Sequence, residues 1–122
     1  MVRVLLLEDH PLQLQAREAV LEAAGFAVTS ARTAEDALVH MRDAAAPSSQ
    51  KFNAVITDHV LANENGVAFV RKLRALAPDI PVIVMTGLAE AEPEYSELNV
   101  TFLQKPYPPE EFVRALAELL QP

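Results

Sequence analysis

The sequence predicts an α/β fold, a five-stranded parallel sheet doubly wound with helices on both faces, and three observations predict it. Five short apolar runs are spaced along the chain, segments with helical periodicity stand between them, and the intervening loops are short. The runs are mostly continuous rather than alternating, as in strands buried on both faces of a parallel sheet. Strands joined through helices take right-handed crossovers. A length of 122 residues suits one domain with one core, spanning 1–122, and no internal repeat or low-complexity tract divides it.

The elements follow in order. Residues 3–7 (RVLLL) form the first strand. Residues 11–24 read as a helix, with Pro11 suited to its first turn and Gly25 to its C-terminal end. Residues 26–30 (FAVTS) form the second strand; Thr33 and Asp36 then resemble a capping box with Asp in place of Glu, opening a helix to about Ala45. After a surface loop at residues 47–50, residues 54–57 (AVIT) make the third strand, stopped by Asp58. Asn65-Gly66 opens another helix, on which Val67, Val70, Leu73 and Leu76/Ala77 recur on one face. Residues 81–86 (PVIVMT) form the fourth strand, with proline at its first residue, where a strand tolerates it. Residues 90–98 allow only a short helix, interrupted by Pro93. Residues 100–103 form the fifth strand. Pro108, Pro109, Glu110 and Glu111 start the last helix, with proline in the first turn and acids beside the positive end of the helix dipole.

Composition narrows the function. The formal charge is −7, and the densest basic cluster, Arg71, Lys72 and Arg74, reads as a solvated helix face, so direct nucleic-acid binding is not expected. No apolar run approaches the ~18 residues of a membrane-spanning helix. The start, Met-Val-Arg-Val-Leu-Leu-Leu, has neither the long apolar stretch nor the cleavage site of a signal peptide, so no membrane contact and a cytoplasmic location are expected. With no cysteine there is no disulfide, thiolate metal site or thiol nucleophile.

In open α/β sheets ligands bind at the carboxyl ends of the strands, where strand order reverses. Glu8 and Asp9 follow the first strand, Asp58 the third, Thr86 and Gly87 end the fourth, and Lys105-Pro106 follows the fifth. Adjacent carboxylates repel, and a cation relieves the repulsion; all-oxygen ligands with open positions fit Mg²⁺. A carboxylate facing that cation can act as a nucleophile, as in aspartyl-phosphate chemistry. Phosphoryl transfer then needs positioning and charge neutralisation, which Mg²⁺, the Lys105 ammonium, and the Thr86 hydroxyl with the Gly87 N–H would supply to separate phosphoryl oxygens.

An acid pair after strand one, Asp after strand three, Thr with a small residue after strand four and Lys-Pro after strand five together resemble the receiver domain of bacterial response regulators, a flavodoxin-like fold, over nearly the whole chain. The resemblance implies that Asp58 accepts a phosphoryl group from a phosphohistidine on a partner histidine kinase or phosphotransfer protein, within a two-component phosphorelay. It implies Mg²⁺ held directly by Asp9 and Asp58, by the Val60 carbonyl, and by Glu8 through water. Lys105 would pair with the phosphate, Thr86 would move to hydrogen-bond it, and Phe102, three residues before the lysine, would be the switch aromatic. The Lys105-Pro106 bond becomes a candidate cis peptide. The role implied is signalling rather than turnover of a substrate, through a switched surface for a downstream protein target.

Several residues depart from that pattern. Ala62 stands where the family often has proline, and Phe102 where tyrosine is frequent. Val60 and Leu88, two residues beyond Asp58 and Thr86, are apolar and cannot orient a water, which implies slow self-dephosphorylation. Plainer readings stay beside these: Asp58 as a turn cap, Glu8-Asp9 as a solvated loop start, Lys105 as a surface lysine, Phe102 as core packing. His10 and His59 read as lining the rim of the site, and His40 as an exposed helical residue.

Three rival functions fit less well. A hydrolase forming an aspartyl-phosphate would want a second acid where Val60 stands. A nucleotide-binding domain would want a glycine-rich turn after strand one, which reads Glu-Asp-His-Pro instead. An interaction module that takes no phosphate would not need the full residue set. Both a free-standing regulator and a receiver from a hybrid kinase or larger regulator remain open. The acidic fourth segment (Glu90, Glu92, Glu94, Glu97) carries no basic residue, which argues against dimerisation there through ion pairs.

Overall fold

A computed structural model describes residues 2–47, 49–62, 64–87, 89–105 and 107–121, the side chains of Ala89 and Glu90 excepted. Strands β1 (Arg3–Leu7), β2 (Ala27–Ala31), β3 (Ala54–Asp58), β4 (Val82–Thr86) and β5 (Thr101–Gln104) form one sheet, parallel throughout, in the order β2-β1-β3-β4-β5. Helices α1 (Pro11–Ala23), α2 (Ala34–Ala44), α3 (Gly66–Leu76) and α4 (Pro109–Leu119) cover it. The predicted α/β class and its five parallel strands are what the chain adopts.

The continuous apolar runs are explained by two cores, one on each face. Val4, Leu6, Ala54, Ile56, Ile83 and Met85 pack on one side with residues of α1 and α4. Their neighbours Leu5, Leu7, Val55, Val82 and Val84 pack on the other with residues of α2 and α3. Each fully buried Leu, Ile or Val contributes ~1.5–3 kcal/mol relative to exposure. That is why the middle strands β3 and β4 contain no exposed residue.

Local chemistry sets the helix ends. His10 caps α1: its Nδ1 accepts from the Gln13 N–H at 3.5 Å, and the residue is exposed beside Asp9. At the other end Gly25, with φ of 95°, lets its own N–H reach the Glu22 carbonyl and that of Phe26 the Leu21 carbonyl, a Schellman closure. Phe26 is thereby spent on ending the helix, and β2 begins one residue later than predicted. Thr33 Oγ1 accepts from the Asp36 N–H at 3.0 Å, as the capping pattern predicts, and Asn65 Oδ1 accepts from the Ala68 N–H at 2.9 Å to start α3.

Two expectations need correction. The basic cluster on α3 is only partly a solvated face: Arg71 and Lys72 are exposed, but half-buried Arg74 donates to the carbonyls of Ala77, Ile80, Leu98 and Asn99. His40 is half-buried rather than exposed. The fourth crossover is short, as its proline predicts: a 3₁₀ helix at Ala89–Tyr95 with Pro93 inside it. A proline lacks the N–H that a longer ladder would use, so the segment stays short.

Candidate functional site

Register brings the acids together. Leu7 on β1 stands opposite Thr57 on β3, so Glu8 and Asp58, each one residue further on, emerge side by side at the carboxyl end of the sheet. This lies between β1 and β3, where the strand order reverses. Alternation along the strands gives Glu8 and Asp58 the side of Leu6 and Ile56, the face that α1 and α4 cover. Both are almost wholly buried, at 1% and 3% exposure, while Asp9 is half-buried. One carboxylate oxygen from each of Glu8, Asp9 and Asp58 lies within 4.8 Å of the others.

Buried carboxylates need compensating charge, and two cations supply it. Lys105 Nζ lies 2.7 Å from Asp58 Oδ1. The lysine is brought there by its own N–H, which donates to the Thr86 carbonyl at 2.9 Å and so continues the β4–β5 ladder past its last pair, Thr86 and Gln104. The second cation is Arg17, from α1. Its Nη1 donates to Asp58 Oδ2 at 3.0 Å and stands 3.1 Å from Glu8 Oε2.

The charges act on the two acids in opposite senses. Burial, followed by the neighbouring Asp58, pushes Glu8 up to about 8, against which Arg17 and Lys105 pull only in part. For Asp58 burial also acts upward, but the hydrogen bond with Glu8 and the nearby Arg17 and Lys105 outweigh it, and its carboxyl falls below the ordinary value. Arg17 is itself raised: burial works against its charge, and Asp58 more than offsets that.

The site accommodates a divalent cation on its own chemistry. Its donors are all hard carboxylate oxygens, of which Glu8 Oε2 and Asp58 Oδ1 are buried and face the charges of Arg17 and Lys105. Such oxygen donors favour Mg²⁺ over a softer transition metal.

Of the residues singled out in the sequence, the side chains of Glu8, Asp9, Asp58 and Lys105 converge. Thr86 is buried at the end of β4 and Gly87 follows it, exposed. Val60 stands at the rim with its side chain 67% exposed, paired across a short loop with Asn65. Phe102 is half-buried, away from the carboxylates, with its ring edge-on to Tyr95 at 5.2 Å. Leu88 and Pro106, with the candidate cis bond, lie outside the described residues.

His59 is not a rim residue: it is buried, and its Nδ1 shares a 2.7 Å hydrogen bond with the Tyr95 hydroxyl. Sequence reasoning passed over both Tyr95 and Arg17. Arg17 had a legible signal, since it shares a helical stripe with Leu14 and Leu21, and a charge in an apolar stripe asks for a buried partner. Tyr95 had none beyond being an aromatic in a polar segment.

No helix among the described residues is long and apolar enough to cross a membrane. A groove of about 470 Å³ runs between the start of α2 and the loop before α3, but it mixes Arg32, Arg42 and Lys72 with Glu35 and Glu64 and holds no converging acids.

Known proteins are similar to this chain in sequence and fold. The response regulator receiver domain family matches residues 4–117. The transcriptional regulatory protein ZraR of Salmonella typhimurium is 28% identical over 120 residues, which is 98% of this chain and 26% of that protein. The chain thus spans about a quarter of the length of the first curated relatives it matches. Among solved structures, the chemotaxis protein CheY4 of Vibrio cholerae superposes with a TM-score of 0.86 at 26% identity, covering 98% of this chain and 99% of that one. The receiver domain of the hybrid histidine kinase CckA does so with a TM-score of 0.80 at 25% identity and the same coverage.

Proposed function

This chain belongs to the family of response regulator receiver domains, and from that premise we propose that it takes a phosphoryl group from a phosphohistidine onto Asp58 and switches a protein-interaction surface in response. The donor is a histidine kinase or a phosphotransfer protein in a two-component phosphorelay. The observation that carries the reading is the setting of Asp58: a buried carboxylate at the sheet's reversal point, 2.7 Å from Lys105 and grouped with Glu8 and Asp9.

A carboxylate oxygen of Asp58 attacks the phosphorus, and the bond from phosphorus to the imidazole nitrogen breaks as the new oxygen–phosphorus bond forms. The lowered pKa of Asp58 keeps that nucleophile ionised at neutral pH. Lys105 then remains beside a phosphoryl oxygen, and the Thr86 hydroxyl with the Gly87 N–H meets another. Asp9, Asp58 and the Val60 carbonyl, with Glu8 acting through water, would hold Mg²⁺, which when bound would supply charge neutralisation where the phosphoryl oxygens arrive. Exposed, apolar Val60 offers no group to orient a water against the phosphorus, so the phosphoryl group leaves slowly. Thr86 and Phe102 change packing together, which is the switch.

Intact mass after incubation with acetyl phosphate and Mg²⁺ tests this for wild type, Asp58→Asn and Val60→Asn. We expect a Mg²⁺-dependent gain of one phosphoryl group on wild type, none on Asp58→Asn, and a shorter phosphoryl lifetime on Val60→Asn. A gain retained by Asp58→Asn would move the acceptor elsewhere. No gain from acetyl phosphate or from a phosphorylated histidine donor would favour an interaction module that takes no phosphate.

A further inference from the structure

We infer that Arg17 is a built-in counter-cation of the acid pocket, which a divalent cation must displace, so that Arg17 sets the chain's affinity for Mg²⁺. The inference rests on the metal-binding part of the proposed function. One atom carries the argument: Nη1 of Arg17 lies 3.0 Å from Asp58 Oδ2 and 3.1 Å from Glu8 Oε2, so a single positive group already bridges two of the three carboxylates. The side chain is 9% exposed and the acids are nearly enclosed, which leaves little water to screen a second positive charge brought to the same oxygens. A guanidinium does not relieve such repulsion by losing its proton. It has to move.

The fold supports a standing role for the bridge. Arg17 takes an inward position on α1 in line with Leu14 and Leu21, where a further apolar residue would complete the stripe. It is thus held at the acids by the helix, not by a mobile loop. Without Arg17, the buried Asp58 carboxylate would have Lys105 as its remaining close cation, with Glu8 buried against it. Arg17 therefore favours the metal-free fold, and the state competent for Mg²⁺ is the fraction of molecules in which the guanidinium has swung away; the apparent affinity is reduced by that fraction.

The test is a Mg²⁺ titration of wild type and Arg17→Met, followed by NMR of backbone amides near Asp58 and of the Arg17 side-chain N–H in wild type. We expect Arg17→Met to bind Mg²⁺ about tenfold more tightly or better. In wild type the Arg17 side-chain signal should shift with the same midpoint as the Asp58 amide. Equal or weaker binding by Arg17→Met overturns the inference and leaves the acceptor reading standing. Should that variant not fold, wild type decides alone: an Arg17 signal that stays still while the Asp58 amide saturates overturns it. If Mg²⁺ moves no signal in either chain, the metal reading and this inference fall together.

Discussion

Glu8 and Asp58 carry the same functional group and are buried side by side, yet their carboxyls are pushed in opposite directions. On Glu8, burial and the neighbouring Asp58 outweigh the pull of Arg17 and Lys105, whereas on Asp58 the hydrogen bond with Glu8 and the same two cations outweigh burial. The consequence is a pH dependence of known sign. In the unfolded chain Glu8 ionises near 4.5, while in the metal-free fold it keeps its proton to about 8. Within that window the folded state binds more protons than the unfolded one, so stability falls as pH rises. Asp58 contributes in the opposite sense, stability present above its ordinary 3.8 and lost only as pH falls through its lower folded value, so it is flat across the same window. With a chelator present, the melting temperature should decline between pH 4.5 and about 8, and Glu8→Gln should flatten that decline. An undiminished decline in Glu8→Gln would place the titrating group elsewhere.

At the scale of elements, the start of α3 and the 3₁₀ segment are fitted to each other through Gly66 and Tyr95. A Cβ added at Gly66 would lie 2.5 Å from the Tyr95 hydroxyl and 2.7 Å from the Asp58 carbonyl, so the glycine is required by space. Gly66→Ala should cost about 1–3 kcal/mol by overpacking. Tyr95→Phe, which leaves His59 Nδ1 buried without its partner, should cost about 1–3 kcal/mol. Urea unfolding measures both, and Gly87→Ala, whose Cβ meets nothing within 4 Å, is the control that should fold at near wild-type stability. These contacts also mark the limit of what the sequence discloses. Strand ends came within a residue because apolar runs and Gly, Pro and Asn punctuation are local signals, and the acids and Lys105 were legible because strand ends converge in this class of sheet. The partnership of His59 with Tyr95 spans 36 residues and that of Arg17 with Asp58 spans 41, and no local pattern encodes such pairings. The same holds for Arg74, whose charge resembles that of its solvated neighbours until its four carbonyl partners are seen.

Across the whole molecule, the sheet is unevenly secured, and that decides where a phosphoryl group on Asp58 would be felt. β1 and β3 are paired on both sides, whereas β5 is an edge strand of four residues, none fully buried, paired only with β4. The crossover that feeds it is a 3₁₀ segment continued, among the described residues, by the Ser96 N–H to Pro93 and Leu98 N–H to Tyr95 hydrogen bonds. Segments with so few backbone bonds open at lower free energy than the central strands. Arg74 bounds the loose region by mooring the carbonyls of Leu98 and Asn99 to α3. Tyr95 links it to Asp58, because its hydroxyl meets His59, the next residue, and its ring meets Phe102. Binding a phosphate mimic with Mg²⁺ should therefore shift the amides of residues 92–97 and of Phe102, while those of Asn99 and of α2 stay near their places. Amide spectra of the free and mimic-bound chain decide it. Stationary signals at residues 92–97 would remove the 3₁₀ segment from the switch, and equal movement in α2 would mean that the two cores respond as one body.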